Sequence, residues 1–149
     1  MIVVDASLAA KWVLWEADSA EAFDFLTRHQ NELAAPELIF IEVAGAIVRR
    51  ANEDKSLREA ALRALDKWTV AWTDHVIQHH RVTQRRIHSA AGLAIRLGHP
   101  LKDCVYLGLA MELKCPLVTC DAVFTRKAVS LYPDVRLLED YSGASPTSS

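Results

Sequence analysis

The apolar runs of this chain are short, and four of them meet an acid. Asp5 follows Ile2-Val3-Val4, and Asp121 closes Pro116-Leu117-Val118-Thr119-Cys120. Asp103 opens Cys104-Val105-Tyr106-Leu107-Gly108-Leu109-Ala110, while Glu42 is embedded in Leu38-Ile39-Phe40-Ile41-Glu42-Val43-Ala44. Short apolar strands alternating with helical stretches imply an α/β fold, with a parallel sheet covered on both faces. In such sheets ligands bind beyond the carboxyl ends of the strands. Asp5 and Asp121 fall at such ends, and Glu42 and Asp103 lie early in helices able to cap the same edge.

The elements follow from local signals. Ile2-Val3-Val4 reads as a strand, with a helix from near Ser7. Asp18-Ser19-Ala20-Glu21 has the form of a capping box, opening a helix through about His29. Ala34-Ala35 reads as a strand, and Pro36 suits the first turn of a helix that carries Glu42 and ends near Arg50. A second capping box, Ser56-Leu57-Arg58-Glu59, precedes Leu57, Ala61, Leu65 and Trp68 at helical spacing. Val76-Ile77 reads as a third strand. The helix from about Val82 stops at Gly98, with Pro100 just beyond. A helix over Asp103–Lys114, a strand at Leu117–Thr119, a helix from near Asp121 and a strand at Val135–Leu138 complete the pattern. Residues 1–141 are expected to form one domain, and the small polar residues 142–149 a disordered tail.

An apolar share of 51% with 24% charge is globular rather than disordered composition. No apolar run approaches the roughly 20 residues of a membrane span. The start of the chain has no basic region and no cleavage signal, so a cytoplasmic protein is expected. Cys104, Cys115 and Cys120 lie in apolar contexts without a CxxC pair and read as buried free thiols. A net charge of −2 argues against coating nucleic acid by bulk electrostatics. Between Asp74 and Asp103, however, there is no acid, and Arg81, Arg85, Arg86, Arg96 and Lys102 fall there with five histidines. That segment reads as a solvated helix face or as the path of a polyanion beside Asp103.

Taken singly, Asp5 and Asp121 read equally well as helix N-caps, and Asp103 suits a first turn. Glu42 resists that reading, because Leu38, Ile39, Gly45 and Ala46 share its helix face. If the four acids meet, each pair about 5 Å apart repels by roughly 3 kcal/mol at an effective dielectric near 20. The compensator that suits hard oxygen ligands is Mg²⁺ or Mn²⁺. His75 and His79 have the spacing of helical metal ligands but lack an HExxH signature. No phosphate loop, GxGxxG or GxSxG is present, which removes nucleotide-cofactor and acyl-enzyme chemistry from consideration.

The chain resembles the PIN-domain ribonucleases, and among them the VapC-type toxins of toxin–antitoxin pairs. The resemblance rests on Ile2-Val3-Val4-Asp5-Ala6-Ser7, Pro36-Glu37-Leu38 through Glu42-Val43-Ala44, Asp103 through Ala110, and Leu117-Val118-Thr119-Cys120-Asp121. It implies a Rossmann-like three-layer α/β/α sandwich and a Mg²⁺- or Mn²⁺-dependent endoribonuclease. It also implies a homodimer held inactive by a cognate antitoxin. Asp5, Glu42, Asp103 and Asp121 would be the acidic quartet, with Ser7 and Thr119 as supporting hydroxyls. Lys102 and Cys104 depart from the residues common beside the family's third acid.

The leading expectation is therefore metal-assisted hydrolysis of RNA phosphodiesters. Asp5 and Asp103 are the expected direct ligands, with Glu42 and Asp121 completing the shell or orienting water. Arg81, Arg85, Arg86 and Lys102 are the candidate RNA contacts. One competing reading is a phosphohydrolase with Asp5 as nucleophile, which lacks a second Asp because position 7 is Ser. Another is a non-catalytic protein that binds metal or RNA.

Overall fold

The computed structural model describes residues 1–142; positions 143–149 of the expected tail lie outside the described residues. Five strands form one sheet: β1 (Ile2–Val4), β2 (Leu33–Pro36), β3 (Gln78–His80), β4 (Leu117–Thr119) and β5 (Val135–Leu137). All pairings are parallel, in the order β3-β2-β1-β4-β5. The helices are α1 (Ala6–Val13), α2 (Ser19–Arg28), α3 (Leu38–Glu53), α4 (Arg58–Thr73), α5 (Gln84–Leu97), α6 (Leu101–Leu113), α7 (Ala122–Ala128) and α8 (Leu138–Ser142).

Central parallel strands must be apolar on both faces, because helices cover each side. Val3, Val4, Leu117 and Val118 accordingly have no exposure at all. Helix α6 packs on β1, β2 and β4 and is apolar nearly all round, with Cys104, Val105, Tyr106, Leu107, Leu109 and Ala110 buried. A helix without a polar face needs cover on its far side, and α5 supplies it. Elsewhere α1 packs on α3 and β4, and α3 meets β2 with α4 against it. The result is the α/β/α layering expected from the sequence. None of the described helices is long and apolar enough to cross a membrane.

Chain direction is winding outward from β1 on both sides of the sheet, and it reverses between β1 and β4. A crevice therefore opens at the carboxyl ends of these two strands, where ligands of open α/β sheets bind. Asp5 follows β1 directly and Asp121 lies two residues beyond β4, and each is the N-cap of the following helix, α1 and α7.

Several local expectations are displaced, each for a specific reason. Pro36 ends β2 instead of opening α3; it pairs in register with His80, and the Glu37 amide donates to the His80 carbonyl at 2.8 Å. Strand β3 lies two residues beyond Val76, because α4 runs to Thr73 and His75 adopts a left-handed turn at φ 53°. Ile77, just before the strand, is buried. Neither expected capping box forms. The Asp18 carboxylate lies 3.6 Å from Lys11 Nζ, and the Ser19 hydroxyl is occupied by Leu14 O and the Glu16 amide. Ser56 donates its hydroxyl to Asp54 at 2.6 Å, so Asp54 caps a 3₁₀ turn over Lys55–Leu57 ahead of α4. Trp12 and Trp68 are core residues whose indole N–H groups donate to Ala22 O and Phe40 O. Trp15, by contrast, is 76% exposed.

The stop after α5 is set by Gly98, whose φ of 61° lies in the left-handed region. A Cβ there would meet no heavy atom within 4 Å, so any penalty is purely a backbone one. Gly98→Ala should cost about 1 kcal/mol and lower Tm by roughly 2–4 °C, whereas Gly98→Asn should recover part of the loss. Thermal melts of the three proteins check this; identical melting temperatures would remove the backbone explanation.

Candidate active site

Strand β1 delivers Asp5 into the crevice, and the backbone there (φ −103°, ψ 175°) has not yet turned helical. Its Oδ1 accepts from the Leu8 amide at 3.1 Å, the N-cap bond of α1, and from Ser7 Oγ at 2.7 Å. The Thr119 hydroxyl, at the end of β4, donates to Oδ2. Asp5 therefore joins β1 to β4 across the point where the strand order reverses. Both hydroxyls are further fixed by amides from the next turn: Cys120 N–H donates to Ser7 Oγ and Asp121 N–H to Thr119 Oγ1. Ser7 and Thr119 thus support Asp5 directly, Ser7 from two residues away and Thr119 from 114 residues away in sequence.

Two helices bring further carboxylates. Asp103, in the first turn of α6, has a side chain 31% exposed, and its Oδ2 lies 2.6 Å from His99 Nε2. Glu42, one turn into α3, accepts from the Tyr106 hydroxyl at 2.7 Å. Lys102 Nζ is 3.8 Å from the other Glu42 oxygen, but Lys102 is mostly exposed and such pairs contribute little. The Tyr106 ring is buried in α6, three residues beyond Asp103. Burial, then the charge of Glu42 and its hydrogen bond, then the charges of Asp5 and Asp103, push the Tyr106 phenol far above its ordinary range. The hydroxyl is therefore a permanent donor, and Asp5, Glu42 and Asp103 share its surroundings.

Asp121 stands at the margin of this group. Its Oδ1 accepts from the Phe124 amide at 3.0 Å, an N-cap of α7, and its link to Asp5 runs through Thr119. The cysteines are free thiols. Burial and nearby Asp103 raise Cys104 to about 11, and burial with Asp5 raises Cys120 to about 12, so neither is a nucleophile near neutral pH. His79 lies flat on Trp72, ring centroids 3.5 Å apart, which uses the imidazole for packing. The candidate RNA contacts differ among themselves. Arg86 is committed, donating twice to Glu112 at 2.8 and 3.2 Å and once to Arg81 O. Arg81 and Arg85 are exposed, and Arg85 borders a groove of about 940 Å³ between α5 and α6.

Sequence reasoning passed over Tyr106 and treated His99 only as part of a basic segment. Tyr106, three residues beyond Asp103, lies within one helical turn of it, which was the available signal; His99 precedes α6 across extended Pro100, where helical spacing gives none.

Hard oxygens in a partly desolvated crevice fit Mg²⁺ or Mn²⁺ rather than a soft metal. Among the described residues no group of three or more His, Cys, Asp or Glu side chains is placed to hold a metal ion together. Mg²⁺ does not need one, because it is commonly held by one or two carboxylates with the remaining positions filled by water. Burial is unfavourable for the charge of Asp5. Burial raises its carboxyl from the ordinary 3.8 to about 6, against hydrogen bonds from Thr119, Ser7 and Leu8, and repulsion from Asp103 adds to the rise.

A raised carboxyl makes the folded state bind more protons than the unfolded state, so stability declines as pH rises from about 4 through about 6. The rise from 3.8 to about 6 corresponds to about 3 kcal/mol. In EDTA, Asp5→Asn should therefore gain on wild type by about 3 kcal/mol between pH 4 and pH 7. Urea unfolding at the two pH values checks this; parallel pH dependences would contradict a buried ionised Asp5.

A model of the PIN domain family matches residues 2–130. No curated protein sequence matches the chain. Among solved structures, the crystal structure of PAE2754 from Pyrobaculum aerophilum superposes with a TM-score of 0.71 at 20% identity, covering 95% of this chain and 86% of that one. A toxin–antitoxin complex from Klebsiella pneumoniae gives 0.62 at 15% identity, covering 93% and 98%. At these identities the two structures speak for the fold, and the family match carries the assignment. PIN domains are generally nucleases, and the crevice with its converging carboxylates lies inside the matched segment. The chain belongs to the PIN domain family.

Proposed function

We propose that this protein is a Mg²⁺- or Mn²⁺-dependent endoribonuclease and the toxin of a type II toxin–antitoxin pair. The observation that carries the reading is the convergence of Asp5, Glu42 and Asp103, from β1, α3 and α6, around the neutral hydroxyl of Tyr106. Carboxylates gathered around one buried hydroxyl, with only the exposed Lys102 ammonium facing Glu42, suit a bound cation. Asp5 and Asp103 would hold it, with Glu42 and Asp121 completing the shell or orienting water. When bound, the cation lowers the pKa of a water and offsets charge developing at phosphorus.

The chain's own groups do the positioning. Ser7 and Thr119 fix Asp5, and Tyr106 fixes Glu42. RNA would approach over the acid-free segment leading to Lys102, with Arg81 and Arg85 meeting phosphates. Arg86 is the exception among the candidates, since Glu112 already neutralises it. The other proposed partners are a cognate antitoxin and a second copy of the chain, in the cytoplasm. The toxin–antitoxin neighbour supports the antitoxin. The test is incubation of the purified chain with RNA in Mg²⁺, Mn²⁺ or EDTA. Cleavage confined to the metal arms is expected; equal cleavage in EDTA would refute the metal site.

Glu42→Gln keeps size and a hydrogen-bonding oxygen while removing charge. It should yield folded protein that cleaves RNA at least about a hundredfold more slowly, a loss of roughly 3 kcal/mol. In cells lacking the antitoxin, wild type should arrest growth and Glu42→Gln should be tolerated. Wild-type cleavage by the variant would make Glu42 a structural residue.

The two adjacent arginines should behave differently. Arg85→Ala should lower the slope of log binding against log salt by roughly one unit, as expected for one lost phosphate contact. Arg86→Ala should leave that slope nearly unchanged, because its partner is Glu112. Filter binding over a salt series separates them, and equal slopes for both variants would undo the assignment.

A further inference from the structure

Asp103 is held by a residue with an unusual profile. The His99 side chain is 7% exposed, its Nε2 lies 2.6 Å from Asp103 Oδ2, and its Nδ1 is buried with no hydrogen-bond partner. The placement is imposed from three directions. Left-handed Gly98 ends α5, and the His99 amide donates to Ala94 O at 3.0 Å. Lys127, from α7, donates to Gly98 O at 3.1 Å. Phe124, also from α7, packs on the imidazole with ring centroids 4.8 Å apart. Pro100 then starts α6, putting Asp103 one turn away.

A carboxylate only accepts, so the bond to Asp103 requires a hydrogen on Nε2. Nδ1 is then left as a buried lone pair, a cost that a residue serving packing alone would avoid by being apolar. His99 thus gives up one nitrogen to orient a carboxylate through the other. The bond occupies Oδ2, and Oδ1 accepts no hydrogen bond among the described residues. Tyr106 likewise holds one oxygen of Glu42, whereas both oxygens of Asp5 accept hydrogen bonds, from Ser7 and Leu8 and from Thr119.

We infer that His99 is a positioning residue of the carboxylate centre: its Nε2–H, clamped between α6 and α7, fixes Asp103 with Oδ1 available to a divalent cation. The inference rests on the metal-site reading proposed above. Partners that orient metal ligands from behind typically contribute 10- to 100-fold in affinity.

The test measures Mn²⁺ binding by electron paramagnetic resonance of the free ion, with His99→Phe, His99→Gln and Asp103→Asn. His99→Phe keeps the packing on Phe124 and removes the donor. His99→Gln returns an N–H near the Nε2 position. His99→Phe should bind Mn²⁺ at least about tenfold more weakly, while His99→Gln stays within about threefold of wild type. In EDTA, His99→Phe should melt no lower than wild type, since an unpartnered nitrogen is gone. At limiting Mn²⁺ its kcat should fall with little change in KM for RNA. If His99→Phe binds Mn²⁺ like wild type while Asp103→Asn does not, the inference fails and the metal site stands. If Asp103→Asn also binds like wild type, the metal site itself fails. A measurement on unmodified protein removes dependence on folding of the variants. Imidazole ¹⁵N resonances should show His99 protonated at Nε2 and shifted by Mg²⁺; a hydrogen on Nδ1 alone, or no response to Mg²⁺, overturns the proposal.

Discussion

The contact on which the site depends is the hydrogen bond from Thr119 to Asp5. It crosses between the two strands that the chain winds away from in opposite directions, and it draws a carboxylate under the edge of the sheet. Burial there is unfavourable for a charge, as the rise of its carboxyl to about 6 records. The surrounding groups offset that cost only in part: two hydroxyls and one amide bond to Asp5, and no cationic side chain bonds to it among the described residues. An arrangement that desolvates an acid and supplies neutral donors stabilises it without cancelling its charge. That keeps the charge for something else.

The same device recurs with different residues. Tyr106 holds Glu42 and His99 holds Asp103, each through one hydrogen bond to one oxygen. Since Tyr106 titrates far above the physiological range, its hydroxyl keeps its hydrogen as a donor to Glu42 there. Charges that are fully matched lie farther out. Arg86 with Glu112 clamps α5 to α6, and Arg28 with Asp24 lies along α2. Matched pairs stiffen the scaffold, and the unmatched acids gather where strand order reverses.

What the sequence revealed, and what it concealed, divides by range of interaction. Asp5 and Asp121 were legible because a strand end followed by an N-cap is a local pattern, and both cap as expected. Glu42 was legible because charge on an apolar helix face conflicts with its neighbours. Ser56 and Ser19 misled, since a capping box describes a possibility that a nearer partner, Asp54 or Leu14, can remove. Val76-Ile77 misled for a related reason: apolar residues mark a buried segment, while register depends on where the preceding helix unwinds. His99 and Tyr106 took meaning only from partners on other elements or across a tight turn, which composition and periodicity do not encode.

The central pairing of the sheet also fixes an order of events. β1 is the first of the five strands in sequence, yet one of its two neighbours is β4, more than a hundred residues later. Loop-closure entropy makes such contacts late in folding. During synthesis, Asp5 precedes Thr119 by 114 residues and must wait for it before its carboxylate is held. An incomplete chain can therefore build α1 to α5 and still lack the crevice. Whatever chemistry the acids support is withheld from nascent chains until β4 has been made.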